Sequence, residues 1–264
     1  MNSWRLFPLK TFDAYTNMAI DEAILTAKLA RLVPNTLRLY GWNPPAVSIG
    51  KFQNIQNEVQ VENCRKQGVD VVRRITGGGA VYHASKDEIT YSVIADKKDM
   101  HTEDITTIYA KIYAGIVNAL QNLGITADFN EGNQKNCPNL TVKGKKISGS
   151  AQAHKKGAVL QHGTLLIDVD LEKMFTVLRV PWAKTCMEVV GVAKRKITSI
   201  NKELGKKTSA ETVMHALVEG FQKALNVPLV IGELTPYEQQ LAIKLRNEKY
   251  ATEEWNFQGK TLTD

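Results

Sequence analysis

Strands joined directly by short turns are the feature of this sequence that most constrains its fold. Three β-rich segments, 140–142, 146–152 and 158–168, are joined by short turns at Gly144 and at Lys155-Lys156-Gly157. Long stretches of helical periodicity lie on both sides of them. A chain that mixes helices with hairpin-connected strands favours an α+β fold over a regular βαβ series.

Apolar periodicity and turn residues locate the other elements. The predicted helices cover residues 13–32, 59–67, 104–123, 209–225 and 235–249. Further strands are predicted at 36–40, 46–49, 69–73, 80–83 and 89–95, and the last two alternate like a strand pair. Thr235-Pro236 predicts an N-cap followed by proline in the first helical position.

Charge and cysteine content limit the classes of partner and site. The 264 residues carry a formal net charge of +7, which favours acidic partners without choosing among them. Three widely spaced cysteines form no zinc motif and suit a reducing compartment. With no signal peptide and no membrane-length apolar run, the chain is expected to be cytoplasmic.

The segment Val72–His83 reads VRRITGGGAVYH. Three glycines after a strand leave backbone N–H groups uncovered and let another molecule approach the main chain closely. The preceding Arg73 and Arg74 have the geometry to bind a phosphate or a carboxylate through two parallel hydrogen bonds. A tight turn with two solvated arginines is the alternative interpretation.

A second segment, Lys143–Gln152, reads KGKKISGSAQ. As a strand it would place Lys146, Ser148 and Ser150 on one face and Ile147 on the other. Its glycines have P-loop spacing, but Ser150 stands where the lysine should be, so the phosphate-loop signature fails. The alternative is a basic hairpin tip in water.

A histidine, His162, lies within the apolar segment LQHGTLL. Such a residue is either a core histidine with satisfied hydrogen bonds or a catalytic group. The named motifs GxSxG, HExxH and GxGxxG do not occur. The residues by themselves therefore indicate a soluble α+β enzyme with a basic, glycine-lined anion site.

Taken in order, these segments resemble the lipoate–protein ligases and octanoyltransferases, a family related to the biotin–protein ligases. The resemblance rests on NMAIDE at 17–22, LRLY at 37–40, VSIG at 47–50, RRITGGGAVYH at 73–83, KISGSA at 146–151, HGTLL at 162–166 and KYATEEWN at 249–256. It implies a mixed, largely antiparallel sheet flanked by helices, with an apolar acyl tunnel. It also implies one catalytic domain over residues 1–264, with a core at about 31–223, a helical C-terminal segment and no accessory C-terminal domain.

The resemblance assigns roles to particular residues. Lys146 would contact the reacting carboxyl group, where a fixed cation offsets developing negative charge. The acyl and nucleotide site would be formed by Arg73, Arg74, Gly77, Gly78, Gly79, Tyr82, His83, Ser148, Gly149, Ser150, Ala151, His162 and Gly163.

Two features point to different mechanisms within the family. The triple glycine and the following AVYH resemble ATP-dependent ligases, which make an acyl-adenylate from lipoate or octanoate with ATP and Mg²⁺. Cys137-Pro138 resembles transferases that carry octanoyl as a thioester, and Lys135, Lys143, Lys145 and Lys146 lie near Cys137 in sequence. Where many ligases have an Asn-Asp pair, this chain has Pro138-Asn139, and the missing carboxylate weakens any magnesium site. Asn139 is the one candidate metal ligand that remains.

The main hypothesis is an ATP-dependent lipoate–protein ligase, and the alternative is an octanoyltransferase supplied by acyl-carrier protein. Either would modify a lysine of an acidic lipoyl-carrier domain, of the 2-oxoacid dehydrogenase E2 or glycine cleavage H protein type. A ligase of this length is also expected to use a separate small accessory subunit. Nucleic-acid binding is a third hypothesis, and neither interleaved aromatics nor a recognised nucleic-acid motif supports it.

Overall fold

The computed structural model describes residues 3–133, 137–183 and 185–259. Its strands are β1 (Trp4–Phe12), β2 (Thr36–Trp42), β3 (Ala46–Ile49), β4 (Asp70–Arg73), β5 (Val81–His83), β6 (Glu88–Asp96), β7 (Asp128–Asn130), β8 (Asn139–Val142), β9 (Lys145–Lys155), β10 (Ala158–Leu166) and β11 (Leu229–Ile231). Its α-helices are α1 (Ala14–Leu29), α2 (Ile55–Glu58), α3 (Val61–Gln67), α4 (Ile105–Asn122), α5 (Leu171–Val177), α6 (Cys186–Lys196), α7 (Ile200–Leu204), α8 (Ala210–Leu225) and α9 (Pro236–Leu245). A 3₁₀ turn spans Lys97–Met100, and two π-helical turns span Arg246–Tyr250 and Glu254–Gln258.

The strands form a large sheet and a small one. The large sheet has the order β11-β1-β2-β6-β10-β9-β8-β7, and the small sheet has the order β4-β3-β5. Among the named strands of the described residues, pairing is parallel where β1 meets β11 and β2 and where β3 meets β4. The other named strand pairs are antiparallel. The predicted α+β fold with a mixed, largely antiparallel sheet is thus confirmed.

Helices cover both faces of the large sheet. Along β6 the side chains alternate, so that Val93 joins the cluster containing α4 and α8 whereas Ile94 joins the cluster containing α1 and α9. Val159 and Leu160 on β10 divide in the same way. A strand buried on both faces has nearly continuous apolar sequence, which explains why these segments are so hydrophobic.

The predicted pairing of 80–83 with 89–95 is wrong. β5 pairs with β3 in the small sheet, and β6 lies between β2 and β10 in the large one. Tyr82 packs with Val47 and Ile49 in a separate apolar cluster. Alternation of apolar and polar residues identifies each strand. Which strand it pairs with depends on the apolar cluster in which its buried face packs.

Helix ends follow the local sequence signals. Asp13 caps α1 by accepting a hydrogen bond from the Thr16 backbone N–H. The predicted cap at Thr235 is confirmed as a capping box with Glu238, and Pro236 is the first helical residue. In the described part of the chain, no helix combines the length and the apolar character that crossing a membrane requires.

Candidate active site

A cavity of about 540 Å³ is lined by residues of both sheets. Most of the residues predicted for the site lie in its wall: Arg74, Gly78, Gly79, His83, Cys137, Asn139, Lys146, Gly149, Ser150, Ala151, His162 and Gly163. Arg73, Gly77, Tyr82 and Ser148 do not line it. Residues that are distant from one another in sequence therefore meet at one site.

Lys146 reaches the cavity through an irregularity in its strand. The register of β8 and β9 shifts, so that Leu140 pairs with Ser148 whereas Thr141 pairs with Lys146. Ile147 is the extra residue of this bulge, and both Ile147 and Ser148 are buried. The prediction from alternation that Lys146 shares a face with Ser148 is therefore wrong.

The environment of Lys146 is crowded and cationic. Its side chain is open to the cavity, yet the protein around the ammonium group lowers its pKa from the usual 10.5. Removal from water is the main cause, and the positive charge of Arg74 adds to it, while Cys137 opposes the shift. A lysine in such a place loses a proton more readily than a lysine in water.

Cys137 lies in the same wall and is exposed. Its Sγ would be 3.6 Å from a β-carbon at Gly78. The sulfur interacts electrostatically with both Lys146 and Arg74, so two cations face a group that becomes anionic as a thiolate. Lys135, also expected near Cys137, lies outside the described residues.

The next residues hold the Cys137 segment in place. The hydroxyl of Tyr113 donates to the Pro138 carbonyl at 3.1 Å and accepts a hydrogen bond from Ser150 Oγ at 2.8 Å. The amide of Asn139 donates to the Cys137 carbonyl at 3.3 Å. These contacts anchor the segment to α4 and β9.

All five N–H groups of Arg74 have acceptors within the protein. Nε donates to the Thr76 hydroxyl at 3.2 Å, and Nη1 donates to the carbonyl and hydroxyl oxygens of Ser48 at 2.9 and 3.0 Å. Nη2 donates to the carbonyls of Gly77 at 2.7 Å and Gly79 at 3.0 Å. Burial lowers the pKa of Arg74 to about 10, and at neutral pH the guanidinium is still cationic. In this conformation the guanidinium supports the loop of residues 77–79, here called the glycine loop, and has no N–H group left for a phosphate.

Arg73 points away from the cavity and binds the C-terminal segment. Its Nε donates to the Trp255 carbonyl at 3.0 Å and its Nη2 to the Asn256 carbonyl at 3.0 Å. Nη1 donates to three carbonyls of residues 50–53. The expectation that Arg73 binds acyl or nucleotide is corrected, because backbone carbonyls occupy its guanidinium.

The described cavity wall offers poor ligands for Mg²⁺. It contains the amides Asn130, Asn133 and Asn139 but no aspartate or glutamate. Magnesium prefers carboxylate and phosphate oxygens, so the described donors do not fit a resident Mg²⁺ site. Elsewhere too, the described residues contain no group of three or more histidine, cysteine or acidic side chains suited to a metal.

Sequence reasoning missed much of the wall. Met18, Tyr40, Trp42, Ser48, Val81 and Thr90 all line the cavity. Trp42 is stacked on His83 with ring centroids 3.9 Å apart. These residues have the periodicity of ordinary core positions. The motifs NMAIDE, LRLY, VSIG and RRITGGGAVYH mark the segments of Met18, Tyr40, Ser48 and Val81, whereas none of the resembling motifs contains Trp42 or Thr90.

Comparison with known proteins places the chain among enzymes of protein lipoylation. The family described as lipoyl protein ligase A/B catalytic domain matches residues 13–222. Octanoyltransferase LipM of Kyrpidia tusciae is 39% identical, over 97% of this chain and 99% of the relative. Octanoyltransferase LipM of Clostridioides difficile is 36% identical over the same shares.

Solved structures show the same fold. A lipoate–protein ligase A bound with ATP superposes with a TM-score of 0.83 at 31% identity, covering 97% of this chain and 99% of the other. A bipartite lipoate–protein ligase from Thermoplasma acidophilum, solved with its E2 lipoyl domain, gives a TM-score of 0.82 at 31% identity. Its coverage is 97% of this chain and 96% of that one.

Proposed function

Because the chain belongs to the lipoyl protein ligase A/B catalytic-domain family, we propose that it is an octanoyltransferase that works through a thioester on Cys137. One observation carries the proposal: Cys137, Lys146 and Arg74 line the same cavity, and the sulfur interacts with both cations. The relatives called octanoyltransferase LipM, which match along nearly the whole chain, support it.

In the first step, the thiolate of Cys137 attacks the thioester carbonyl of octanoyl-acyl-carrier protein. The bond from the octanoyl carbon to the carrier sulfur breaks, and the carrier leaves as a thiol with the proton that Cys137 gave up. The product is octanoyl-Cys137. Because one thioester replaces another, the step needs no ATP and no redox partner.

In the second step, the ε-amine of a lysine on the lipoyl-carrier domain attacks octanoyl-Cys137. An amide bond forms, the carbon–sulfur bond breaks, and the sulfur of Cys137 takes up a proton. The result is an octanoylated carrier lysine and a free enzyme. Covalent catalysis thus divides one acyl transfer into two exchanges at the same carbonyl.

Lys146 is suited to both steps. As a cation it stabilises the oxyanion that forms at the octanoyl carbonyl in each tetrahedral intermediate. Its lowered pKa also makes it a better proton carrier between Cys137 and the incoming or departing group than a lysine in water would be. Lys146 is therefore the second residue assigned to catalysis.

The octanoyl chain needs an apolar part of the cavity. Met18, Trp42 and Val81 supply it, and the Trp42–His83 stack forms one flat side. Thr90 accepts a hydrogen bond from Trp42 Nε1 at 2.8 Å, which satisfies the indole without using water. An eight-carbon chain placed here would need its carbonyl carbon beside Cys137 for the transfer to occur.

A lipoate–protein ligase is the second candidate. The TM-score of 0.83 with an ATP-bound ligase and the triple glycine favour it. Against it stand the cavity wall without carboxylates in its described part and the internal hydrogen bonds of Arg74. A ligase would bind ATP and Mg²⁺ with lipoate or octanoate, so the donor requirement separates the two candidates.

The proposed acyl acceptor is an acidic lipoyl-carrier domain of the E2 or H-protein type. The bipartite ligase of similar structure was solved with an E2 lipoyl domain. Exposed Lys194, Arg195 and Lys196 end α6 immediately before Ile197, which forms a β-bridge with Lys146. A basic surface beside the catalytic lysine would guide an acidic domain to the cavity.

Two parallel assays test the proposal. Octanoyl transfer from octanoyl-acyl-carrier protein to a lipoyl domain should proceed without ATP, and Cys137→Ala should lose it. Cys186→Ala is the matched control and should keep full transfer, because Cys186 does not line the cavity. Lipoylation that requires free lipoate and ATP and survives Cys137→Ala would support the ligase instead.

A further inference from the structure

Two buried chains of hydrogen bonds converge on Arg74. Each runs from a carboxylate through a histidine to a hydroxyl and ends on a different nitrogen of the same guanidinium. Both resemble the acid–histidine–hydroxyl order of hydrolases, but each hydroxyl is bound to an arginine and neither is a free nucleophile.

The first chain starts at Asp21. Burial would raise the pKa of Asp21, but the Arg38 guanidinium at 2.8 Å and the His162 hydrogen bond outweigh it and hold that pKa below its usual value. His162 Nδ1 lies 3.1 Å from Asp21, and its Nε2 lies 2.8 Å from Thr76 Oγ1. The Asp21 carboxylate accepts a hydrogen bond from His162 Nδ1–H, so His162 Nε2 accepts one from the Thr76 hydroxyl. The Thr76 oxygen in turn accepts a hydrogen bond from Arg74 Nε at 3.2 Å.

The neutral state of His162 fits this direction of bonding. Burial lowers the pKa of His162 against the opposing effect of Asp21. A neutral imidazole has one donor and one acceptor, which is what the carboxylate on one side and the hydroxyl on the other require. The orientation of the Thr76 hydroxyl is thereby fixed, with its lone pair toward Arg74.

The second chain starts at Glu88. His83 Nδ1 lies 2.7 Å from Glu88 Oε1, and its Nε2 lies 2.8 Å from Ser48 Oγ. Ser48 Oγ accepts from Arg74 Nη1 at 3.0 Å. Stacking on Trp42 holds the imidazole ring from the side. Arg74 is thus fixed at Nε by one chain and at Nη1 by the other.

The third nitrogen of Arg74, Nη2, connects the two hydrogen-bond chains to the glycine loop. Nη2 donates to the carbonyls of Gly77 and Gly79, and Gly78 between them lies against Cys137. We propose that His162 and His83 are positioning residues, which act through Thr76, Ser48 and Arg74 to hold the glycine loop beside Cys137 in the conformation that acyl transfer needs. The proposal rests on the proposed function of Cys137.

A matched pair of variants at Thr76 tests it. Thr76→Val removes the hydroxyl and keeps the shape, whereas Thr76→Ser keeps the hydroxyl. We expect single-turnover formation of octanoyl-Cys137 to slow by about tenfold to a hundredfold in Thr76→Val, because small misplacements at a reacting centre cost about that much. Thr76→Ser should stay within about twofold of the wild type, and the KM for the acyl donor should change little in either variant.

A second buried threonine controls for a general structural effect. Thr36 Oγ1 accepts from Arg5 Nε at 3.2 Å, the same contact that Thr76 makes with Arg74, but Arg5, unlike Arg74, does not line the cavity. Thr36→Val should lower the Tm as Thr76→Val does and leave the transfer rate unchanged. The double variant Ser48→Ala/Thr76→Val should lose less than the product of the single losses, since both act through one guanidinium.

The results separate this proposal from the proposed function. If wild-type protein forms no thioester, the function of Cys137 fails. If wild-type protein forms the thioester but Thr76→Val reacts as fast as Thr76→Ser, or is slowed no more than Thr36→Val, the positioning role is overturned.

Discussion

The ammonium group of Lys146 lies against Gly149, so closely that a β-carbon at position 149 would stand 2.6 Å from Lys146 Nζ. The same β-carbon would stand 2.6 Å from Lys146 Cε. Real β-carbons do not approach other heavy atoms to that distance. The missing side chain of Gly149 therefore provides the space in which the Lys146 ammonium group lies.

Gly149→Ala should consequently impair transfer more than folding. The end of a lysine side chain can move aside at small cost, so we expect the Tm to fall little while kcat drops at least about tenfold, as misplaced catalytic groups do. Gly191→Ala is the control, since a β-carbon there would have open space around it. Equal kcat for Gly149→Ala and the wild type would show that the observed place of Lys146 is not needed.

The lowered pKa of Lys146 predicts a cost to stability with a definite pH dependence. The folded chain binds the Lys146 proton less tightly than the unfolded chain, so the cost is fully present at any pH below the lowered pKa. It fades as pH rises through the lowered pKa toward the usual 10.5. We expect Lys146→Met to raise the Tm at pH 7 while abolishing transfer, with the gain shrinking in alkaline buffer.

Thermal unfolding of wild type, Lys146→Met and Lys145→Met across this pH range measures the effect. Lys145 is the neighbour on β9 and does not line the cavity. Its variant should not show the same gain. A Lys146→Met protein that is less stable than the wild type at pH 7 would contradict the account of a desolvated lysine.

Secondary-structure elements that are determined by a few neighbouring residues could be predicted from the sequence. The helix beginning after Thr235 and the strand turn at Gly144 were predicted, because caps and turn glycines act within a few residues. β1 was missed, because Pro8 and a register irregularity between Phe7 and Lys10 disturb its alternation.

The site residues also differ in how well the sequence located them. The resemblance marked Lys146 and Cys137, and the structure brings both to one cavity. It misplaced Arg73, whose hydrogen-bond partner Trp255 lies 182 residues away in the sequence. Which carbonyls surround a guanidinium depends on such distant packing, and the motif alone carries no information about it.

Asn256 should be a structural anchor for the C-terminal segment. Its Oδ1 accepts from the Arg73 N–H at 2.8 Å, and its Nδ2 donates to the carbonyls of Tyr250 and Thr252. Asn256→Ala should lower the free energy of unfolding by about 1–3 kcal/mol, because it leaves buried polar groups unpaired. Chemical denaturation measures this, and exposed Asn57→Ala should change stability by less than about 0.5 kcal/mol.

The basic surface beside Lys146 should govern encounter with an acidic acceptor. Lys194→Glu/Arg195→Glu should lower kcat/KM for the lipoyl domain roughly tenfold at low salt, and the difference should shrink as salt screens the charges. Lys10→Glu/Lys223→Glu changes the net charge equally at exposed residues that do not line the cavity. If both double variants lose activity equally, net charge rather than this surface is responsible.

Lys155 at the end of β9 and Lys156 in the following turn form a second pair of exposed cations. Lys155 lies 3.9 Å from Glu22, and it sits at the opposite end of β9 from Lys146. Lys155→Glu/Lys156→Glu should therefore affect kcat/KM less than the change at Lys194 and Arg195. A larger effect would place the acceptor on the other end of the strand.

The central claim is that Cys137 carries the acyl group, and direct detection of the acyl-enzyme tests it. Purified protein is mixed with octanoyl-acyl-carrier protein without ATP, and the intact protein and its peptides are analysed by mass spectrometry before and after hydroxylamine. The account predicts one octanoyl adduct on Cys137 that hydroxylamine removes, that Cys137→Ala lacks and that a lipoyl domain discharges. Absence of the adduct, together with lipoate-dependent exchange of pyrophosphate into ATP, would contradict it.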